Sequence, residues 1–280
     1  MTNITLSNGV EMPMLGYGVY QVSQAECERC VRDALSVGYR SIDTAQAYGN
    51  EAQVGEAIEK SGVDRKEIFL TTKVWINRYG YEETKKSVYE SMEKLRTDYL
   101  DLCLLHQPYA DCYGAWRALC ELYEEGKLRA IGVSNFYPDR LVDFCCFNRI
   151  APMINQVEIH PFHQQNEAIS WMKKYNVVPE AWAPFGEGRE GLFENRVLKT
   201  IGEKYGKTTA QVMLRHHLQR GIVTIPKTTH IERMKENIDV FDFALSDEDM
   251  RAIVSLDKER SAFFSHRDPN RIEWLAGLHK

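Results

Sequence analysis

The feature that most constrains this chain is a unit that recurs along it. A short apolar run is followed by a polar loop and then by a segment with apolar residues at helical spacing. The runs are "LGYGV", "YRSIDT", "EIFLTTK", "YLDLCLLH", "LRAIGVSN", "MINQVE", "VVPEAWAP" and "IVTIP". Helical patterning covers residues 24–37, 51–60, 82–96, 114–125, 138–147, 164–174, 194–205 and 230–238. Strands separated by helices are joined by crossovers, which make a parallel sheet covered by helices. Eight such units in 280 residues predict an α/β chain closed into a (β/α)8 TIM barrel, with an open doubly wound sheet as the alternative. Ahead of them, "ITLSNGVEMPML" alternates apolar and polar residues around Asn8-Gly9, the signature of a β-hairpin. No stretch has linker composition, so one domain over residues 1–280 is expected.

Composition narrows the function. With 44% hydrophobic and 27% charged residues the chain reads as a soluble globular protein. The 35 Lys and Arg residues are scattered within a net charge of −5, which excludes a nucleic-acid or anionic-membrane surface. "MTNITLSNGVEMPMLG" has neither the charged start nor the apolar stretch of a signal peptide, and no apolar run reaches the length of a membrane span. Seven cysteines follow no disulfide spacing. Cys27 and Cys30 form a C-x-x-C inside a helical pattern rather than at a helix start, and read as reduced thiols. A cytoplasmic protein is expected.

In a barrel of this kind the chemistry gathers at the C-terminal ends of the strands. There the chain places Asp43 with Tyr48 in the following loop, Lys73 and Trp75, His106, Ser134 and Asn135, Gln156 and Glu158, Trp182, and finally Lys227 and Thr228. Singly, a strand-end histidine is usually just hydrogen-bonded, and a lone lysine merely neutralises an acid. Asp43, Tyr48, Lys73 and His106 on one rim suggest more. A free phenol, with its pKa near 10, holds its proton too firmly to be a good acid. A nearby ammonium favours the phenolate. A carboxylate fixes the ammonium, and an imidazole beside the phenol can hydrogen-bond a substrate oxygen. Such a set suits protonation of a carbonyl oxygen as it becomes an alkoxide.

"DTAQAYGNE", "TTKVW", "LLHQP", "AIGVSNF", "NQVE" and "IPKTTHIERMKEN" resemble the aldo-keto reductases, in matching order over nearly the whole chain. The likeness is greatest to short bacterial members grouped with diketogluconate and glyoxal or methylglyoxal reductases. The resemblance implies a barrel that binds NADPH without a Rossmann domain. "GYGVYQ" agrees, since it lacks the third glycine of a dinucleotide fingerprint. It also implies roles. Tyr48 is the general acid, Lys73 lowers its pKa, Asp43 pairs with the lysine, and His106 orients the carbonyl. Ser134, Asn135 and Gln156 hold the nicotinamide carboxamide, and Trp182 stacks on its ring. Lys227, Thr228, Arg233 and Asn237 contact the 2′-phosphate and adenine.

Three departures from the pattern stand out. Gln107 stands where many relatives have a pocket tryptophan, Ala183 and Phe185 replace a common serine and leucine, and the loop "GEGREGLF" is short. Tyr20, Trp75, Gln107 and the C-terminal "FFSHRDPNRIEWL" are candidates for the substrate pocket, and the aromatics have core packing as their alternative. His160 and His163 lack a third ligand, so no metal is expected. His216-His217 reads as helix surface. The expected activity is NADPH-dependent reduction of small aldehydes, ketones or α-dicarbonyls by a monomer. A Schiff-base aldolase using Lys73 and a nicotinamide-binding regulatory subunit are the competing readings.

Overall fold

The computed structural model describes residues 2–277. Strands β1 (Asn3–Thr5) and β2 (Glu11–Pro13) form the antiparallel hairpin, with Thr5 opposite Glu11. Its turn differs from a two-residue Asn-Gly loop. Gly9 donates to the Leu6 carbonyl at 2.9 Å, and the Asn8 side chain accepts from Val10 N at 3.2 Å. Gly9 itself takes the left-handed position at φ 85°. The hairpin therefore closes through a turn followed by a left-handed residue, and it buries Leu6 and Met12 in the main core.

Eight strands follow in chain order, all parallel: β3 (Tyr17–Gly18), β4 (Ser41–Asp43), β5 (Phe69–Val74), β6 (Leu102–Leu105), β7 (Ile131–Ser134), β8 (Ile154–Glu158), β9 (Val178–Trp182) and β10 (Val223–Thr224). The ring closes between β10 and β3. Thr224 N donates to Met14 O and Gly16 N to Thr224 O, both at 2.9 Å, and Gly18 N reaches Pro226 O at 3.1 Å. Nearly every strand residue is buried, as expected for a parallel sheet covered on both faces.

The helices form the outer layer: α1 (Gln24–Ser36), α2 (Glu51–Lys60), α3 (Tyr81–Lys94), α4 (Cys112–Glu124), α5 (Pro138–Phe147), α6 (Asn166–Lys174), α7 (Arg196–Tyr205), α8 (Thr209–Gln219), α9 (Ile231–Ile238), α10 (Asp247–Val254) and α11 (Pro269–Gly277). Their starts follow local chemistry. Pro138 opens α5, Asn195 caps α7, and Thr208 with Gln211 and Ser246 with Asp249 form capping boxes on α8 and α10. At Gly55, α2 approaches the end of α3 so closely that a Cβ would lie 2.5 Å from Lys94 O. Only glycine fits there.

Two helices lie between β9 and β10, and the second, α8, leads into the last strand. One local expectation is corrected there. His216 and His217 on α8 are fully buried rather than on the surface. Burial pushes the His216 pKa down to about 3, with Arg220 adding to the effect, so both rings pack as uncharged groups. Cys27 and Cys30 are buried free thiols on α1, and burial raises the Cys27 pKa to about 12. Neither is a reactive thiolate at neutral pH. No described helix is long and apolar enough to cross a membrane.

Candidate active site

Lys73 ends β5 pointing inward and is fully buried. Its ammonium has three protons to place, and the structure gives each an acceptor. Nζ lies 2.5 Å from Asp43 Oδ1, 3.0 Å from the Thr44 carbonyl and 3.2 Å from Tyr48 Oη. Burial alone would drive the lysine toward its neutral form. The Asp43 carboxylate and the Tyr48 hydroxyl outweigh that and hold its pKa above the ordinary lysine range. Lys73 is therefore a fixed cation.

Tyr48 reaches this position through a short 3-10 turn, Gln46–Tyr48, ended by Gly49 in the left-handed region at φ 69°. Side chains on either side brace the turn. Gln46 accepts from Trp75 N at 3.0 Å and donates to the Ser87 carbonyl at 3.2 Å. Asn50 donates to the carbonyls of Val19 and Val22, and accepts from Thr44 Oγ1 at 2.8 Å. Glu51, next in line, accepts from Thr72 Oγ1 at 2.6 Å. The polar cluster after β4 is thus a brace for a phenol. Burial raises the Tyr48 pKa to about 12, against the downward pull of Lys73. The expected lowering by lysine is present, but desolvation exceeds it here.

His106 follows β6 with its ring edge-on to Tyr48 at 5.7 Å and to Trp75 at 5.0 Å. Burial, the Lys73 ammonium and the His266 ring hold its pKa well below the ordinary histidine value, so it is uncharged. Its Nδ1 is buried without a partner. An uncharged ring can carry its single proton on Nε2 and donate it from there.

Beside this group lies a second one. Asn135, in the left-handed region at φ 66°, donates to the His106 carbonyl at 3.0 Å and accepts from Trp182 Nε1 at 2.8 Å. Ser134 Oγ donates to the Gln156 carbonyl at 2.8 Å. Gln156 places both amide protons inward, on Asp43 Oδ2 at 2.9 Å and Glu180 Oε2 at 3.0 Å. Its remaining polar atom for a ligand is the side-chain oxygen. Trp182 meets Phe263 of the C-terminal loop at 5.3 Å, and Tyr20 packs on Tyr48 at 5.0 Å while remaining 53% exposed. Gln107 is buried, with its backbone held by the Tyr79 hydroxyl.

The last group lies elsewhere on the rim. A cleft of about 560 Å³ is lined by Glu26 and Arg29 of α1 and by Thr229, His230 and Arg233 at the start of α9. Lys227 and Arg233 are exposed, whereas Thr228 and Asn237 are buried. Tyr17 ties this segment to the barrel by donating to the Thr228 carbonyl at 2.6 Å. None of the four catalytic candidates lines the cleft.

Two acids and a histidine that carry little signal in the sequence are prominent in the structure. Glu180 is buried behind Gln156. Glu158 was noted only as a strand end. It accepts from Ser261 Oγ at 2.5 Å, Ala262 N at 2.8 Å and His160 Nε2 at 2.9 Å, and so anchors the C-terminal loop. Burial would raise its pKa, but these donors hold it below the usual carboxylate value. His266 is buried against Tyr137 and Phe264. No described group of three or more His, Cys, Asp or Glu side chains is arranged to hold a metal.

The rim of the parallel barrel thus carries a buried acid–ammonium–phenol chain. The pattern of the Aldo/keto reductase family matches residues 12–258, and the chain belongs to that family. It is 48% identical over 258 residues to a glyoxal reductase of Bacillus subtilis (strain 168), covering 91% of this chain and 93% of that protein. To a methylglyoxal reductase of Escherichia coli (strain K12) it is 41% identical over 260 residues, covering 92% and 94%. Its fold is similar to the crystal structure of a Bombyx mori aldo-keto reductase in complex with NADP. The TM-score is 0.91 at 31% identity, covering 97% of this chain and 96% of that one.

Proposed function

We propose that this aldo-keto reductase reduces small aldehydes and α-dicarbonyls with NADPH, using Tyr48 as the proton donor. The observation that carries the reading is the buried chain Asp43–Lys73–Tyr48, in which the ammonium lies 3.2 Å from the phenol oxygen. The cofactor's demands suit the residues present. Exposed cations stand at the entry to α9 beside a cleft of suitable size, and a tryptophan fixed by Asn135 offers a flat face near His106. Lys227, Thr228, Arg233 and Asn237 would hold its adenosine phosphate end. Ser134, Asn135, Gln156 and Trp182 would hold the nicotinamide. When bound, NADPH supplies the hydride.

The remaining work falls to the protein's own side chains. His106 donates from Nε2 to the carbonyl oxygen and sets its direction. Tyr48 gives its proton to that oxygen as negative charge develops. The Lys73 ammonium stabilises the phenolate left behind, which matters because burial otherwise disfavours it. Tyr20, Trp75 and Gln107 form the wall facing the substrate. The turn-rich segment Gly186–Glu194 braces the C-terminal loop through Arg189 Nη1 to Ala262 O at 3.1 Å. A short enclosure of this kind favours small substrates. The names of the two bacterial relatives, a glyoxal and a methylglyoxal reductase, point the same way.

An aldolase reading fails on Lys73, whose three protons are all engaged and whose pKa is raised. An imine-forming lysine must be deprotonated. We further read the chain as one domain, acting as a monomer in the cytoplasm. Glyoxal, methylglyoxal and simple aldehydes should be reduced with NADPH by the wild type. Tyr48→Phe should lower kcat by about 100-fold or more while leaving the NADPH Kd unchanged. Near-wild-type turnover by the variant would remove Tyr48 from the acid role.

A further inference from the structure

Glu180 lies on β9 with its side chain inside the barrel, and it is fully buried. The proposed mechanism gives it no task. Its Oε2 accepts from Gln156 Nε2 at 3.0 Å, and the same NH2 group donates to Asp43 Oδ2 at 2.9 Å. One neutral amide therefore bridges two carboxyl groups. The Lys73 ammonium has no proton left for the second, having spent all three on Asp43, Thr44 and Tyr48. Glu180 Oε1 is buried with no hydrogen-bond partner at all.

Glu158 is the contrast within the same protein. It too is a buried glutamate on an inner strand, yet it collects three donors. Three hydrogen bonds are the means by which a buried carboxylate stays charged. With one shared donor and no cation of its own, Glu180 lacks those means.

We propose that Glu180 is a positioning residue of the reduction: an uncharged acid beneath the catalytic group, which lets Asp43 serve Lys73 alone and keeps the phenol a competent donor. The proposal rests on the carbonyl-reductase reading. Burial and the charge of Asp43 raise the Glu180 pKa to about 8, with Gln156 and Lys73 pulling the other way. The groups facing it are Asp43 from β4, Lys73 from β5 and Gln156 from β8, while β10 offers only Val223 and Thr224 alongside. At neutral pH the buried cluster then carries one cation and one anion. Loss of the Glu180 proton adds a second anion next to Asp43. That anion strengthens the hold of Tyr48 on its proton and competes with Asp43 for the Gln156 amide. Both effects slow proton delivery to the substrate oxygen, so reduction should weaken above about pH 8, well below the titration of Tyr48 itself.

Glu180→Gln tests this, because a glutamine has the shape and neutrality of the protonated acid. At pH 7 its kcat should stay within a few-fold of wild type. At pH 9.5 it should exceed wild type by about 10- to 30-fold, since one pH unit past a pKa is a tenfold loss of the protonated form. A solely structural role would lower both pH limbs alike. Infrared spectra of the wild type, without cofactor or substrate, should contain an un-ionised carboxylic acid band at pH 7. That band should fade through about pH 8 and be missing from Glu180→Gln. This readout needs no turnover, and the wild-type titration needs no variant to fold. If no carbonyl is reduced by any form, the functional reading fails while the infrared titration still reports on Glu180. Absence of the acid band at pH 7, or superimposable pH–rate profiles, would overturn the proposal.

Discussion

Asp43→Asn is the substitution whose cost follows most directly from the geometry. Lys73 is fully buried and Asp43 is 2% exposed, with 2.5 Å between Nζ and Oδ1. Asparagine can keep an acceptor toward Lys73, but it removes the charge and turns the second oxygen, which accepts from Gln156 Nε2, into a donor, leaving an ammonium buried without its counter-ion. Breaking such a pair costs about 3–5 kcal/mol. For a domain of this size each kcal/mol lowers Tm by about 2–3 °C, so a drop of roughly 6–15 °C is expected. The pH dependence is diagnostic. In the wild type the folded-state pKa of Lys73 is raised, so its stabilisation is complete below the unfolded value near 10.4 and fades only above that. In the variant the burial penalty has lost Asp43, its main counterweight, and depresses that pKa. The deficit should therefore be largest at neutral pH and shrink as pH rises toward 10 and the lysine sheds its proton. Differential scanning calorimetry from pH 6 to 9.5 reads this out. Glu180 is the other acid that senses Lys73, so the series is repeated in a Glu180→Gln background to stop it taking over as counter-ion. Asp43→Asn/Lys73→Met should regain most of the lost stability, because the orphan charge is gone. A fall of under 2 °C with no pH trend, or no recovery in the double variant, would refute the reasoning.

Two further outcomes are expected. Arg233→Ala and Lys227→Ala should each weaken NADPH by about 10- to 100-fold, the loss of one charge-assisted contact, and leave the NADH Kd unchanged at fixed ionic strength. Equal weakening of both cofactors would mean that neither residue reads the phosphate. Glu158→Gln should loosen the segment that places Phe263 on Trp182. Faster proteolysis within residues 258–268 and a raised substrate KM with little change in kcat are expected, whereas unchanged cleavage would show that other contacts hold the loop.

The sequence carried the barrel because its signal is local. Each strand is a short run of buried residues, and each helix announces itself by spacing and caps, as at Thr208–Gln211. The tetrad was legible for a related reason. Three of its members sit at strand ends where an acid, a lysine or a histidine interrupts an apolar pattern, and Tyr48 follows in the turn after β4. What stayed hidden depends on closure. Glu180 also interrupts an apolar strand, but its meaning comes from Asp43, 137 positions away in the chain and brought near only by the ring, through Gln156. His216 and His217 looked like surface because "RHHLQR" is polar in sequence. With α7, α9 and β10 packed against α8, eight of its eleven residues are buried. The desolvation of Tyr48 was likewise hidden: the lysine pulls its pKa down as expected, and burial outweighs that pull.

The seam where Thr224 meets Met14 and Gly16 also has a temporal meaning. During synthesis β3 emerges early, and its free edge waits for a partner some two hundred residues downstream. Until β10 arrives the nascent sheet has two unpaired borders, the kind of surface on which chains cross-associate. The segment that follows β10 directly, and that Tyr17 grips through Thr228, is the one we propose for the dinucleotide phosphate. A ligand held there binds the sealed ring and not its open precursors, and so draws the population toward the sealed form. Cellular dinucleotide would then act on this chain as a folding ligand before it acts as a reductant, favouring completion at the last joint to form.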